Sequence, residues 1–137
     1  MPDNPIKPAV IERLEGTEWQ QSRSFCLAVI TEGGRTVWLA GQTTLTDLDG
    51  RDITGQFEPQ ARTIFALINR TLERAGGALP NLVTMTVFIN DPRNGDRFVQ
   101  IRNELFSNGQ YPGSALVTVS NFARPGCVIE IQCVAVI

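Results

Sequence analysis

Hydrophobic side chains between Phe57 and Ala75 recur at every third or fourth position, which places them on one side of an α-helix. They are Phe57, Ala61, Ile64, Phe65, Ile68, Leu72 and Ala75. Pro59 falls in the first turn, where its missing N–H leaves no helical hydrogen bond unmade, and Gly76-Gly77 provides a helix end. The pattern predicts a long helix from Phe57 to Ala75 that packs one face on a core.

A second, shorter helix is predicted from about Arg97 to Ser107. Its inner face consists of Phe98, Ile101 and Leu105. Asp96 precedes the helix and is predicted to cap its first turn. Arg102 follows Ile101 directly and stands four residues after Phe98, so it lies beside the apolar face.

Segments rich in β-branched and aromatic residues predict strands at Val10–Leu14, Ser24–Thr31, Arg35–Ala40, Leu82–Asn90, Ala115–Ser120 and Val128–Ile137. Glu32-Gly33-Gly34 favours a hairpin turn between the second and third strands, and the last two strands are predicted to form another hairpin. Helices separated by strands predict an α+β fold, with one mixed sheet and two helices packed on one face.

The last strand alternates between two sets of side chains. Ile129, Ile131, Cys133, Ala135 and Ile137 suit the helix-covered face of the sheet. Val128, Glu130, Gln132, Val134 and Val136 point to the opposite face. That face also carries apolar side chains, so we expect other subunits to cover it.

Glu130 is a lone carboxylate in the middle of this strand, where burial is costly unless the charge is paired or used. One interpretation is a structural ion pair, or a charge that guards an exposed edge across a subunit interface. The other is a general acid and base in a partly dry cleft. The strand pattern leaves both open.

Composition limits the class of protein. The 137 residues predict a single domain over 1–137, with residues 1–8 as a loosely ordered lead-in. A net charge of −2 gives no electrostatic footprint for nucleic acid, and no apolar run is long enough for a membrane span. The polar N-terminus is unlike a secretory signal, and three cysteines without zinc spacing favour a reduced, cytoplasmic setting.

Missing residue types narrow the chemistry. The chain has no histidine, and its only lysine is Lys7, which disfavours histidine bases, histidine metal ligands and a Schiff-base lysine. No glycine-rich phosphate-binding motif occurs. We therefore expect any chemistry to use carboxylates, hydroxyls, thiols, arginines and backbone groups.

Six stretches together resemble the Rid family, also called the YjgF family, of imine and enamine deaminases. They are AGQ (40–42), PQARTIFALINRTLERAGG (59–77), VTMTVFINDP (83–92), FVQIRNELF (98–106), YPGSALVTV (111–119) and VIEIQCVAVI (128–137). The resemblance implies a chorismate-mutase-like homotrimer whose sheets face inward, with clefts between neighbouring subunits. It also implies hydrolysis of small imino or enamino compounds without metal or cofactor, with Glu130 at the position of the family's catalytic glutamate.

The chain departs from the family pattern inside the implied cleft. Ser114 stands where imine-deaminating members carry the arginine that binds the substrate carboxylate. Phe25 replaces a tyrosine, Ala40 a serine and Leu116 a cysteine. The resemblance thus implies a more apolar cleft, in which Ser114 and backbone groups near Gly41 and Ala115 orient the polar end of the substrate.

Arg102 falls where many family members carry a cleft-lining asparagine, so it is a candidate to bind an anionic group from another direction. An ordinary surface arginine is the equally weighted alternative. Arg124, in the loop before the last strand, is a weaker candidate.

The leading hypothesis is a cofactor-free hydrolase or deaminase acting on a small enamine, imine or related C–N compound, with Glu130 as the acid and base. The resemblance extends to members that act in aromatic catabolism, which makes an aminomuconate-like ring-cleavage product one substrate class. The alternative is a non-catalytic trimer that binds small molecules or regulates. An acidic charge and the lack of histidine argue against ribonuclease activity.

Overall fold

The computed structural model describes residues 9–106 and 109–137. The strands are β1 (Val10–Leu14), β2 (Ala28–Glu32), β3 (Thr36–Trp38), β4 (Leu82–Ile89), β5 (Gly113–Thr118) and β6 (Ile129–Val136). The helices are α1 (Glu18–Ser22), α2 (Phe57–Ala75) and α3 (Gly95–Leu105), with short 3-10 turns at Leu79–Asn81 and Pro92–Asn94. The predicted lead-in, residues 1–8, and the predicted helix end at Ser107 lie outside the described residues.

The predicted α+β fold is confirmed. Strands β3, β6, β4 and β5 form a mixed sheet in that order, and α2 and α3 pack on one face of it. The helix α2 has the predicted bounds, and Gly76 ends it with a left-handed backbone at φ 96°. Its apolar stripe and the inward side chains of β4 and β6 form one buried core. Among the described residues, no helix is long and apolar enough to cross a bilayer.

The predicted hairpin at the end of the chain is wrong. β5 pairs with β4 in parallel, and β6 pairs with the other edge of β4 in antiparallel orientation. The reason is α3, which links β4 to β5, because a strand–helix–strand connection brings its two strands together in parallel. β6 is therefore left with the opposite edge of β4.

The predicted hairpin around Glu32-Gly33-Gly34 is also wrong. Both glycines have a positive φ of 70°, but the turn leads from a separate β1–β2 sheet into the four-stranded sheet. β3 pairs with β6, and the Arg35 N–H donates to the Ile137 carbonyl at 2.7 Å. This pairing sets Val37 opposite the buried Ala135, so that Val37 packs on the core.

The start of α3 also differs from the prediction. Asp96 lies inside the first turn of the helix, and its carboxylate forms an ion pair with Arg23 at 2.7 Å. Asp91 provides the capping carboxylate instead, since it accepts a hydrogen bond from the Arg93 N–H at the preceding 3-10 turn. Asp91 thus caps the 3-10 turn Pro92–Asn94, and α3 continues directly from that turn.

The sheet face opposite the helices carries large apolar side chains. Trp38 is 79% exposed and Val117 is 39% exposed, so Trp38 is not a core residue. Trp38 pairs with Val134 across β3 and β6, which places both on this open face. That other subunits cover this open face of the sheet stays a prediction.

Candidate functional site

Arg102 on α3 is fully buried, at 1% relative exposure, so the interpretation as a surface arginine is wrong. Its Nη1 donates to the Ser114 hydroxyl at 2.5 Å, and its Nη2 donates to the Arg23 carbonyl at 2.9 Å. The guanidinium carbon lies 5.0 Å from the ring centre of Phe98 and 5.9 Å from that of Phe25. The side chain is thus fixed between two aromatic rings and two oxygen acceptors.

The charge of Arg102 has no carboxylate partner within the described part of the chain. Its Nε is buried and has no hydrogen-bond acceptor there either. Burial, and secondarily the nearby charge of Arg23, lowers the pKa of Arg102 to about 10. The group still carries its charge at neutral pH, and an uncompensated buried cation is an environment that favours an anion.

A pocket of about 240 Å³ lies against Arg102. We call this cavity the arginine pocket. It is lined by Trp19, Arg23, Phe25, Val99, Arg102, Ser114 and Leu116. Four of the candidates from the sequence meet here, namely Phe25, Arg102, Ser114 and Leu116. The sequence interpretation missed Trp19, Arg23 and Val99.

The short helix α1 places Trp19 and Arg23 at the arginine pocket. Thr17 caps the helix reciprocally with Gln20, and this T-x-x-Q pattern is the sequence signal that could have revealed the element. Arg23 follows as the C-terminal cap, where its carbonyl and guanidinium contact Arg102 and Asp96, respectively. The backbone carbonyl and the side chain of Arg23 are thus both bonded to α3, and these two contacts fix α1 over the arginine pocket.

Glu130 lies half-buried on β6, opposite Phe88 of β4. It lines a second pocket, of about 210 Å³, with Phe88, Val119, Asn121, Phe122 and Ala123. The carboxylate makes no ion pair with any residue in 9–106 or 109–137. A structural ion pair within the chain therefore has no support among these residues, whereas a partner across an interface stays open.

Gly41 fits closely against the Glu130 carboxylate. A Cβ at Gly41 would lie 3.1 Å from Oε2 of Glu130. The neighbouring Gln42 fixes this approach, since it exchanges two backbone hydrogen bonds with Ile131 of β6. Ala40, the preceding candidate, is exposed in the same loop.

The two pockets lie on opposite faces of the sheet. Ser114 pairs with Met85, which in turn pairs with the buried Cys133, so Ser114 belongs to the helix-covered face. Glu130 pairs with Phe88 and belongs to the open face. Ala115 also points to the open face, where it lines a groove between β2 and β4. One chain thus does not bring Glu130 and Arg102 into one cleft.

The remaining candidates contribute little to either pocket. Arg124 is exposed and lines neither of them. Burial raises the pKa of the Cys133 thiol to about 12, so this cysteine is neutral and lies in the core. Within the described ranges, no three acidic, cysteine or histidine side chains are grouped closely enough to hold a metal ion.

Comparisons with known proteins agree on one family. The model of the family described as "Endoribonuclease L-PSP" matches residues 20–137. A RutC family protein of Pyrococcus horikoshii is 26% identical over 104 residues, which is 76% of this chain and 81% of that protein.

Solved structures show the same fold. A Rid-family protein of unknown function from Yersinia pestis superposes with a TM-score of 0.79 at 21% identity, covering 96% of this chain and all (100%) of that chain. A member of the YjgF/YER057c/UK114 family from Mycobacterium tuberculosis superposes with a TM-score of 0.63 at 23% identity, covering 93% and 100%.

Proposed function

Because this chain belongs to the family described as Endoribonuclease L-PSP, the Rid or YjgF family that its motifs predicted, we propose that it is a cofactor-free hydrolase of small enamines or imines. The observation that carries the proposal is the Glu130 carboxylate. It lines a pocket, has no ion-pair partner among the described residues, and is approached by a glycine backbone rather than by a side chain.

Glu130 serves as both acid and base in this proposal. Its protonated form gives a proton to the enamine carbon, which converts the enamine to an iminium ion. The resulting carboxylate then takes a proton from water as the water oxygen attacks the iminium carbon. The carbinolamine collapses, the C–N bond breaks, and the proton passes to the nitrogen as ammonia leaves a carbonyl product. The water supplies the new carbonyl oxygen, so no oxidant or cofactor is required.

Arg102 binds the anionic group of the substrate. The two groups lie on opposite sheet faces of one chain, so one substrate can meet both only where two copies adjoin. We propose that Glu130 of one copy faces the arginine pocket of the next in a homotrimer, and that the exposed face around Trp38 forms its interface.

Hydrolysis of RNA, which the family description names, fits this chain less well. The net charge is −2, and the chain contains no histidine to serve as the acid and base of phosphodiester cleavage.

A second candidate function is a non-catalytic binder of small anions. The observation in its favour is the separation of the arginine pocket from Glu130 within one chain. Such a protein would bind its ligand through Arg102 and would not depend on Glu130.

Ammonia release from a panel of small enamines and imines tests the proposal. We expect Glu130→Gln to lower turnover by about a hundredfold or more, the usual scale for a general acid or base. Glu73→Gln, an exposed position on α2, is the matched control and should behave as the wild type. Unchanged turnover in Glu130→Gln would refute the assignment, and a panel without any turnover would favour the binder.

Mixing inactive variants tests whether the cleft is shared. Glu130→Gln and Arg102→Met chains are unfolded together, refolded and assayed. In a trimer whose sites combine two copies, random mixing should restore about a quarter of the wild-type sites. No recovery, or a stable monomer in light scattering, would show that the two groups do not share a site.

A further inference from the structure

We propose that the arginine pocket selects small carboxylates that carry a flat apolar group, with Trp19 and Arg23 as specificity-determining residues. The inference rests on the proposed function, because it names the substrate class of the same site. Neither Trp19 nor Arg23 lies in the six stretches of sequence that resemble the Rid family.

Charge is the first argument. The arginine pocket has two guanidinium groups in its lining, from Arg23 and Arg102, and no carboxylate. Within 9–106 and 109–137, the one acid in contact with either is Asp96, which lies outside the lining and whose side chain is 85% exposed. The arginine pocket is therefore electropositive, with one of its two charges buried beyond the reach of solvent screening.

Shape and lining are the second argument. Apart from Arg23, Arg102 and Ser114, the lining is the aromatic or aliphatic set Trp19, Phe25, Val99 and Leu116. Trp19 is 67% exposed, so its ring lines the arginine pocket and remains accessible to a ligand. An apolar cavity of roughly 150 Å³ accepts a benzene ring, so about 240 Å³ holds a ring together with a carboxylate.

Preorganisation is the third argument. Nη1 and Nη2 of Arg102 are held by Ser114 and by the Arg23 carbonyl, which fixes the guanidinium before any ligand enters. Nε of Arg102 has no acceptor among the described residues, so it can donate to an entering carboxylate, and the Ser114 hydroxyl hydrogen can rotate toward the same group. The covering segment then places Trp19 against the apolar part of the same ligand.

Calorimetric titration with three matched probes tests this assignment. Phenylacetate carries both the ring and the anion, acetate only the anion, and phenylacetamide only the ring. We expect phenylacetate to bind at least about tenfold more tightly than either of the others, since the pocket contacts both parts. Equal affinity for acetate and phenylacetate would overturn the apolar selection, and equal affinity for phenylacetamide would overturn the anion site.

Single substitutions test which residues bind the ring of phenylacetate and which bind its carboxylate. Trp19→Ala should remove the preference for phenylacetate over acetate, and Arg102→Met should remove the preference over phenylacetamide. Arg23→Gln should weaken phenylacetate binding several-fold, whereas Arg102→Lys, which keeps the charge, should retain part of it. Arg124→Gln, an exposed arginine outside both pockets, is the matched control and should bind as the wild type. Variants that bind like the wild type would overturn the inference.

The experiment separates this inference from the proposed function. Glu130→Gln should abolish turnover yet keep the preference for phenylacetate over acetate and over phenylacetamide, because Trp19 and Arg102 line the arginine pocket and Glu130 of the same chain does not. Binding without turnover of any enamine would overturn the hydrolase and leave the inference standing. Turnover of an enamine without a preference for phenylacetate would overturn this inference and leave the proposed hydrolase standing.

Discussion

Replacing Arg102 by methionine should stabilise the protein while it abolishes anion binding. A buried, uncompensated charge costs folding free energy, and a group retained for ligand binding carries that cost without a structural return. Arg102 is 1% exposed and lacks a carboxylate partner among the described residues, so its charge is buried and uncompensated and should lower the stability of the fold.

The pKa of Arg102 gives the size of the effect. The lowering of this pKa from its ordinary value to about 10 corresponds to about 3 kcal/mol of unfavourable free energy in the charged, folded state. The lost hydrogen bonds to Ser114 and Arg23 offset about 2–3 kcal/mol, and burial of the methionine side chain contributes about 1.5 kcal/mol. We expect a net gain of about 2 kcal/mol in the free energy of unfolding.

Urea unfolding at one fixed protein concentration measures this change, because assembly makes stability concentration-dependent. Gln60→Met is the matched control. Gln60 is fully buried, and its amide bonds the Ile53 and Gly126 carbonyls and the Val128 N–H. Its loss leaves the Val128 N–H without its acceptor and takes one of two hydrogen bonds from each of the Ile53 and Gly126 carbonyls, which also accept from the Gln56 and Gly55 N–H groups; the change should cost about 2 kcal/mol or more. If Arg102→Met loses as much as this control, Arg102 is a structural residue and the argument fails.

Three further outcomes follow from the same contacts. Anion binding should weaken as the pH rises through about 10, where Arg102 loses its proton in the folded protein; titration with phenylacetate between pH 8 and pH 11 measures it. Gly41→Ala should lower turnover about tenfold with little change in melting temperature, since its Cβ would lie 3.1 Å from Oε2 of Glu130 and displace the carboxylate. Asp96→Asn should cost less than about 1 kcal/mol of stability, because the pair is exposed, and should tighten phenylacetate binding by releasing Arg23.

The parts of the fold that local patterns determine were predicted correctly. The helical period fixes α2 to its bounds, and the alternation in β6 places Glu130 on the face away from the helices. Both signals depend only on which side of an element is apolar. Strand neighbours depend on connections instead, and the helix α3 between β4 and β5 replaced the expected final hairpin by a parallel pair.

The arginine pocket could be predicted only in part, because the segment that closes it was not recognised. Position on the second helix leaves Arg102 at the border of the apolar face, where either burial or exposure is compatible with the pattern. The covering segment with Trp19 and Arg23 decides between them, and its signal is the short cap at Thr17 and Gln20. A border residue becomes a core residue only when such an element is placed over it.

Positions 102 and 114 depend on each other physically. Nη1 of Arg102 lies 2.5 Å from Oγ of Ser114, so the guanidinium occupies the space into which a longer side chain on β5 would extend. An arginine at 114, as the Rid pattern has it, would add a third guanidinium to the arginine pocket and place it directly against the buried Arg102, where like charges disfavour each other strongly. Serine at 114 and arginine at 102 therefore form one arrangement, in which the positive charge reaches the pocket from the helix rather than from the strand. The proposed anion site then lies beneath the helical layer, beside Trp19 and Phe25, so that the apolar lining and the charge would select the same ligand.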